Sequence, residues 1–91
     1  MFKTLEELIN IIRQRKNSFN EKSYTNKLLS DKKLSVHKIK EEISELLEAI
    51  EKNSNKVHET ADVLYHLMVL LEANNIKIED VMDELKKRQK K

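Results

Sequence analysis

The 91-residue chain contains no cysteine, no glycine and no proline, and its aromatic residues are two tyrosines and two phenylalanines. Without cysteine, disulfides, thiolate zinc sites and cysteine nucleophiles are excluded. Because glycine and proline are the residues that most disfavour a helix interior, a chain without either is expected to be helical. Charged residues make up 37% of the sequence, which fits a soluble all-α protein. We therefore predict a single all-α domain over residues 1–91.

The sequence also lacks a long hydrophobic run and a strong excess of either charge. Its longest apolar stretch, Val63 to Leu71, is interrupted by His66 and falls well short of the ~20 residues that span a bilayer. The chain becomes acidic at Glu6 and Glu7, where a signal peptide would need apolar residues. The net charge is +2, and the basic residues at 86–91 complement the carbonyl end of a final helix. We expect a cytoplasmic protein that binds neither membrane nor nucleic acid.

Apolar residues recur at helical spacing in four segments of the chain. Thr4 and Glu7 have the form of a capping box, which would start the first helix. Residues 18–35 are less regular and are predicted to hold a short helical turn capped by Ser23, with a connection at 30–33. The architecture is therefore predicted as an antiparallel bundle of four main helices, at about Thr4–Lys16, Ser35–Lys52, Lys56–Ala73 and Ile78–Arg88.

The third of these helices is apolar around nearly its whole circumference. A helix of that kind must be buried on all sides. Three partner helices in so short a chain can hardly enclose it, so a second subunit is expected to complete the core. The sequence therefore predicts a homodimer.

Two acidic pairs carry the strongest chemical signal. Glu42 and Glu45 are three residues apart on the second predicted helix, and Glu59 and Asp62 are three apart on the third. Residues at this spacing share one helix face, so each pair can converge on a point. Facing carboxylates repel one another without a counter-charge, and an all-oxygen, anionic set suits Mg²⁺ or Mn²⁺ better than zinc. Alternatively, such pairs are abundant in charged helices and could simply keep these helices soluble.

With these pairs, the chain resembles the all-α (MazG-like) nucleoside triphosphate pyrophosphohydrolases, whose signature is Glu-Glu-x-x-Glu, a spacer and Glu-x-x-Asp. Within that superfamily it is most similar to phosphoribosyl-ATP pyrophosphohydrolases. The resemblance covers about Leu5 to Arg88 and departs from the family at Lys40, where glycine is usual. The segments that carry it are residues 23–29 (Ser-Tyr-Thr-Asn-Lys-Leu-Leu), 40–45 and 59–71.

The resemblance implies Mg²⁺-dependent hydrolysis of phosphoribosyl-ATP to phosphoribosyl-AMP and pyrophosphate, the second step of histidine biosynthesis. Water would attack the α–β phosphoanhydride, and one carboxylate not fully committed to metal would accept its proton. Carried over by position, the implied metal ligands are Glu42, Glu45, Glu59 and Asp62. Glu41 would be a further ligand or a group that supports the ligands. The candidates for a catalytic carboxylate are Glu41, Glu42 and Glu45.

The resemblance also points to the segment before the second long helix as a substrate-binding element. Its hydroxyl groups and its lysine could bind phosphate, and the predicted contacts are Ser23, Tyr24, Thr25 and Lys27. The hydroxyls could instead cap and pack a short helix, and the lysine could be solvated. His66 is predicted to be a core histidine that bonds a neighbouring helix, and Tyr65 to lie in the dimer core. His37 and His58 are predicted to be surface residues.

Two other functions stay open at this point. The first is a house-cleaning nucleoside triphosphate pyrophosphohydrolase with the same metal chemistry, against which residues 23–29 argue. The second is a non-catalytic helical dimerisation module. Some members of the family are fused to the cyclohydrolase that acts next, and this chain is expected to be monofunctional.

Overall fold

The computed structural model describes residues 1–18, 20 and 22–90, and over these residues the chain is helical with no strand. The all-α prediction is therefore confirmed. Phe19 and Glu21, within the segment predicted to be irregular, and Lys91, within the basic end, lie outside the described residues. The helices are α1 (Lys3–Lys16), α2 (Tyr24–Ser30), α3 (Lys32–Lys52), α4 (Lys56–Ala73) and α5 (Ile78–Gln89). In the described part of the chain, no helix has the length and apolar character needed to cross a membrane.

Two predictions about helix ends are wrong. Thr4 does not cap α1, because the helix already starts at Lys3 with Phe2 at the cap position and without a capping side chain. Lys32 and Lys33, predicted to lie in a connection, are the first residues of α3. The predicted cap at Ser23 is confirmed, since its side chain accepts a hydrogen bond of 3.2 Å from the Asn26 backbone N–H.

A single residue, Asp31, separates α2 from α3. Its backbone N–H donates to the Lys27 carbonyl at 3.1 Å and so closes the end of α2. Its carboxylate accepts from the Leu34 backbone N–H at 3.0 Å and so caps the start of α3. Because an acidic side chain satisfies free N–H groups at a helix start, one residue can end one helix and begin the next.

Helices α3 and α4 form the hairpin on which the acidic pairs lie. Asn53 and Asn55, in the turn between them, have φ angles of 55° and 54°. Asparagine tolerates this left-handed region better than most residues, so a chain without glycine can still turn here. Asn75 (φ 58°) has the same conformation just after α4, which confirms the predicted end of that helix. The α3–α4 pair has the most extensive packing in the described chain.

Helix α4 lies at the centre of the fold, in contact with α1, α2 and α3. The main cluster of buried apolar residues consists of Ile9, Ile12, Leu28, Met68 and Val69. Within the single chain, α4 buries His66, Met68, Val69 and Ala73 against these helices. In the described part of the chain, an apolar stripe of α4 (Val57 and Leu64) and most of the apolar stripe of α3 stay exposed.

Helix α5 is held at its start by a clamp of charged groups. Arg13 of α1 donates to both carboxylate oxygens of Glu79, at 2.9 and 2.6 Å, and its Nε donates to Glu72 at 3.1 Å. The hydrogen bonds from Arg13 lower the pKa of Glu79 to about 2. Lys16 adds a 2.7 Å bond to the Glu72 carbonyl. Arg13 and Lys16 thus pair with Glu72 and Glu79 of the same chain. We therefore interpret this end of the bundle as a structural contact rather than a binding site.

Candidate active site

The α3–α4 hairpin brings three of the four predicted metal ligands together. Glu42 and Glu45 of α3 and Glu59 of α4 each offer a carboxylate oxygen, and the three oxygens lie within 4.8 Å of one another. The i, i+3 spacing on α3 places two carboxylates on one face, and the hairpin places the third opposite them. We call these three residues the carboxylate cluster.

Asp62 lies beside this cluster rather than inside it. Its carboxylate belongs to a second group with Glu59 and His58, again with ligand atoms within 4.8 Å of one another. The Asp62 Oδ2 atom is 3.4 Å from His58 Nε2. Glu59 therefore belongs to both groups and links Asp62 to the cluster. His58 is exposed, as predicted for a surface residue, but the structure also brings it close to the carboxylates.

Two oxygens of the carboxylate cluster are buried. Within the described residues, neither Glu42 Oε2 nor Glu59 Oε2 has a hydrogen bond. A buried polar atom that loses water and gains no hydrogen bond destabilises the fold, and more so when it is charged. The described protein groups therefore leave these two oxygens unsatisfied. A cation between the carboxylates would satisfy both.

The electrostatics of the cluster agree with this interpretation. Burial raises the pKa of Glu42, and the neighbouring carboxylate of Glu45 raises it further. The pKa of Glu59 is raised by the same two causes in the same order. Negative charge is thus disfavoured where acidic residues are concentrated, which is the condition that a bound cation reverses. The donor set of the cluster is all oxygen, so the residues present fit a hard divalent ion.

Glu41 is engaged by two basic residues of its own helix, Lys38 and His37. Its carboxylate lies 2.8 Å from His37 Nε2 and 3.2 Å from Lys38 Nζ. The hydrogen bond from Lys38 is the main reason that the pKa of Glu41 is lowered. In the described part of the chain, Glu41 belongs to neither group of possible metal ligands. These two basic residues lie four and three positions before Glu41, a spacing at which side chains on one helix meet, so the sequence did contain a signal for this arrangement.

The predicted substrate segment reaches α4 through tyrosine and histidine side chains. The Tyr24 hydroxyl lies 3.0 Å from His66 Nε2. His66 is buried, with 8% of its surface exposed, and bonds to a neighbouring helix as predicted. Its other ring nitrogen, Nδ1, lies 2.8 Å from the backbone carbonyl of Asp62. This side of the site is therefore joined to a predicted metal ligand.

The remaining residues of that segment differ in how far they are engaged. The Thr25 hydroxyl bonds with the Tyr65 hydroxyl, and the Tyr65 ring stacks on Tyr24 with centroids 6.4 Å apart. Tyr65, predicted to lie in the dimer core, thus packs against α2 of its own chain. The Ser23 side chain caps α2. Lys27 is exposed, which leaves it accessible to an anionic ligand.

Comparison with known proteins gives a consistent result. A family model described as Phosphoribosyl-ATP pyrophosphohydrolase matches residues 5–89. The phosphoribosyl-ATP pyrophosphatase of Clostridium novyi is 44% identical over 96% of this chain and 82% of its own length. The phosphoribosyl-ATP pyrophosphatase of Metallosphaera sedula is 43% identical, with coverage of 99% and 100%. The histidine biosynthesis bifunctional protein HisIE of Pyrococcus furiosus is 45% identical over 94% of this chain, which spans 41% of that longer protein.

Proposed function

The chain belongs to the phosphoribosyl-ATP pyrophosphohydrolase family, and we propose that it hydrolyses phosphoribosyl-ATP to phosphoribosyl-AMP and pyrophosphate in histidine biosynthesis. The observation that carries the proposal is the carboxylate cluster, with its two buried oxygens that have no partner in the described chain. A polyanionic substrate cannot approach such a cluster without a cation to offset the repulsion. A pyrophosphohydrolase needs that combination of acidic groups and bound cation.

We propose that Glu42, Glu45 and Glu59 hold a divalent cation, Mg²⁺ or Mn²⁺, with Asp62 as a further ligand beside them. When bound, such an ion neutralises phosphate charge and lowers the pKa of a coordinated water molecule. The role of the protein is to hold the carboxylates in place and to accept a proton. Water attacks the α–β phosphoanhydride, the bridging P–O bond breaks, and pyrophosphate leaves. A carboxylate not fully engaged by the cation takes the proton of the water.

We propose that the substrate contacts come from the start of α2, at Ser23, Tyr24, Thr25 and Lys27. The exposed ammonium group of Lys27 is suited to phosphate as a point charge. The position of α2 supports this assignment, since Tyr24 connects through His66 to the turn of α4 that carries Asp62. The three hydroxyl groups have partners within the chain, so they would shape the segment as well as meet the substrate.

We also propose that the functional unit is a homodimer. Val36, Ile43, Leu47 and Ile50 form one stripe of α3, and Leu47 and Ile50 are 56% and 54% exposed. Helix α4 adds Val57, at 86%, and Leu64. Contiguous exposed apolar residues on two packed helices are unusual in a soluble monomer. The same face of a second copy would cover both stripes. In a twofold-symmetric dimer the two subunits use the same surface, so this face alone is enough to form the contact.

The proposed activity is tested by measuring pyrophosphate release from phosphoribosyl-ATP and from dUTP, with millimolar Mg²⁺ and with a chelator. We expect release from phosphoribosyl-ATP that stops when the chelator is added, and at least about tenfold less from dUTP. We also expect Mg²⁺ to raise the melting temperature, because binding to the folded state alone stabilises that state. Preferred cleavage of dUTP would instead indicate a house-cleaning enzyme. No cleavage and an unchanged melting curve would indicate a dimerisation module.

A further inference from the structure

A buried histidine connects the substrate segment to the metal-binding side of the site. His66 lies on α4, one turn after Asp62, and forms a hydrogen bond at each ring nitrogen. One bond crosses to Tyr24 on α2, and the other runs back to the Asp62 backbone within α4. The ring also packs edge-on against Tyr24 and Tyr65, with centroid distances of 5.9 and 5.0 Å. Its orientation is therefore fixed from several sides.

The bond to Asp62 decides the direction of the whole chain of hydrogen bonds. A backbone carbonyl can only accept, so His66 Nδ1 must carry the proton. In the neutral ring, Nε2 is then an acceptor, and Tyr24 donates its hydroxyl proton to it. The Tyr24 hydroxyl is thus engaged in holding α2 in place.

We propose that His66 is a positioning residue, which sets the place of the α2 substrate segment relative to the carboxylates through the Tyr24 hydroxyl. This inference rests on the proposed function, because it assigns His66 to the same site. The two bonds of the ring connect a side chain of α2 with the backbone at Asp62, so a shift at either end is passed to the other. A displaced α2 would bind the substrate less tightly while the carboxylates stay in place, so the loss should appear in KM rather than in kcat.

Two substitutions separate the two bonds of the histidine. In His66→Asn, the amide nitrogen occupies the place of Nδ1 and can still donate to the Asp62 carbonyl, but nothing reaches Tyr24. Asn74 of this chain makes the same kind of bond, from its Nδ2 to the carbonyl of Leu70 at 2.8 Å. In His66→Gln, the longer side chain reaches the place of Nε2, and its amide oxygen can accept from Tyr24. Tyr24→Phe removes the hydroxyl and keeps the ring.

The test is steady-state hydrolysis of phosphoribosyl-ATP by these variants in Mg²⁺. We expect His66→Asn and Tyr24→Phe each to raise KM by about tenfold with kcat within about twofold, the size expected for one lost hydrogen bond. His66→Gln, which keeps an acceptor for Tyr24, should have a KM within about twofold of the wild-type value. The double variant should be no worse than either single variant, because both remove the same bond.

Ser35→Ala is the matched control. The Ser35 hydroxyl is buried and donates to the Leu28 carbonyl, so it too joins α2 to another helix, but away from Tyr24. Its loss should lower the melting temperature and leave KM unchanged. If the His66 and Tyr24 variants lower the melting temperature without changing KM, as this control does, or if their effects on KM add, the positioning role is wrong. The proposed function would still stand in that case, provided that the wild type hydrolyses phosphoribosyl-ATP. A wild-type chain inactive on phosphoribosyl-ATP would overturn both.

Discussion

Glu42→Gln is expected to raise the melting temperature of the metal-free chain and to lower Mg²⁺-dependent pyrophosphate release at least about 100-fold, the scale of losing a main electrostatic contact. The substitution keeps the shape of the side chain and removes its charge. Its amide can donate to the carboxylate of Glu45, which is one of the groups that raise the pKa of Glu42. Thermal unfolding with and without Mg²⁺, together with the pyrophosphate assay, measures both effects.

The stability part of this prediction follows from the direction of the pKa shifts. A carboxyl whose pKa is raised by folding stabilises the folded state below its unfolded value, ordinarily 4.5. That contribution is lost as the pH rises through the higher folded value. The metal-free wild type should therefore lose stability above about pH 4.5, and Glu42→Gln should reduce that loss. Glu79, with a pKa of about 2, acts in the opposite sense and at lower pH.

Glu51→Gln is the control for this experiment. Glu51 lies on the same helix, is exposed, and belongs to neither group of possible metal ligands in the described residues. Its substitution should change neither activity nor the response to Mg²⁺. If Glu42→Gln retained more than about a third of the wild-type rate, the carboxylate cluster would not be the place where Mg²⁺ supports the reaction.

Leu47→Lys is expected to convert a dimer into a monomer. In a single chain this side chain is 56% exposed, so a surface lysine there would change stability by no more than about 0.5 kcal/mol. In the proposed dimer the same lysine would bury an unpaired charge in an apolar contact, which costs several kcal/mol. Sedimentation equilibrium of wild type and variant at the same concentration distinguishes the two cases.

Ile11→Lys provides the comparison for this second prediction. Ile11 of α1 is 50% exposed, a fraction similar to the 56% of Leu47, and it lies outside the two apolar stripes of α3 and α4. We expect this variant to stay dimeric. A wild-type chain that sediments as a monomer at tens of micromolar would contradict the dimer. If Leu47→Lys and Ile11→Lys dissociated the dimer equally, the dimer contact would not lie specifically on the stripes of α3 and α4.

The α3–α4 hairpin was predictable because its signals are local. Apolar spacing predicted both helices, and the break predicted between Lys52 and Lys56 is where Asn53 and Asn55 adopt the left-handed conformation. Two i, i+3 acidic pairs on neighbouring helices then had to come near each other, and three of the four carboxylates do. Helix ends were harder, because Asp31 acts for two helices at once and its neighbouring lysines resemble a loop.

Contacts that depend on distant residues could not be predicted. Tyr24 and His66 are 42 positions apart, and no spacing rule connects them. The same holds for the packing of Tyr65 on α2, which depends on how that short helix lies against α4. For Glu41 the sequence offered two nearby basic residues, His37 and Lys38, as well as nearby acidic residues. The side-chain direction, which the sequence leaves open, decides between them.

The central claim is that the carboxylate cluster binds a divalent cation. Crystals grown with millimolar Mn²⁺, and measured at the manganese absorption edge, test it most directly. We predict an anomalous peak within about 2.5 Å of carboxylate oxygens from Glu42, Glu45 and Glu59. A peak only at other groups, or none between α3 and α4 at saturating Mn²⁺, would contradict the account.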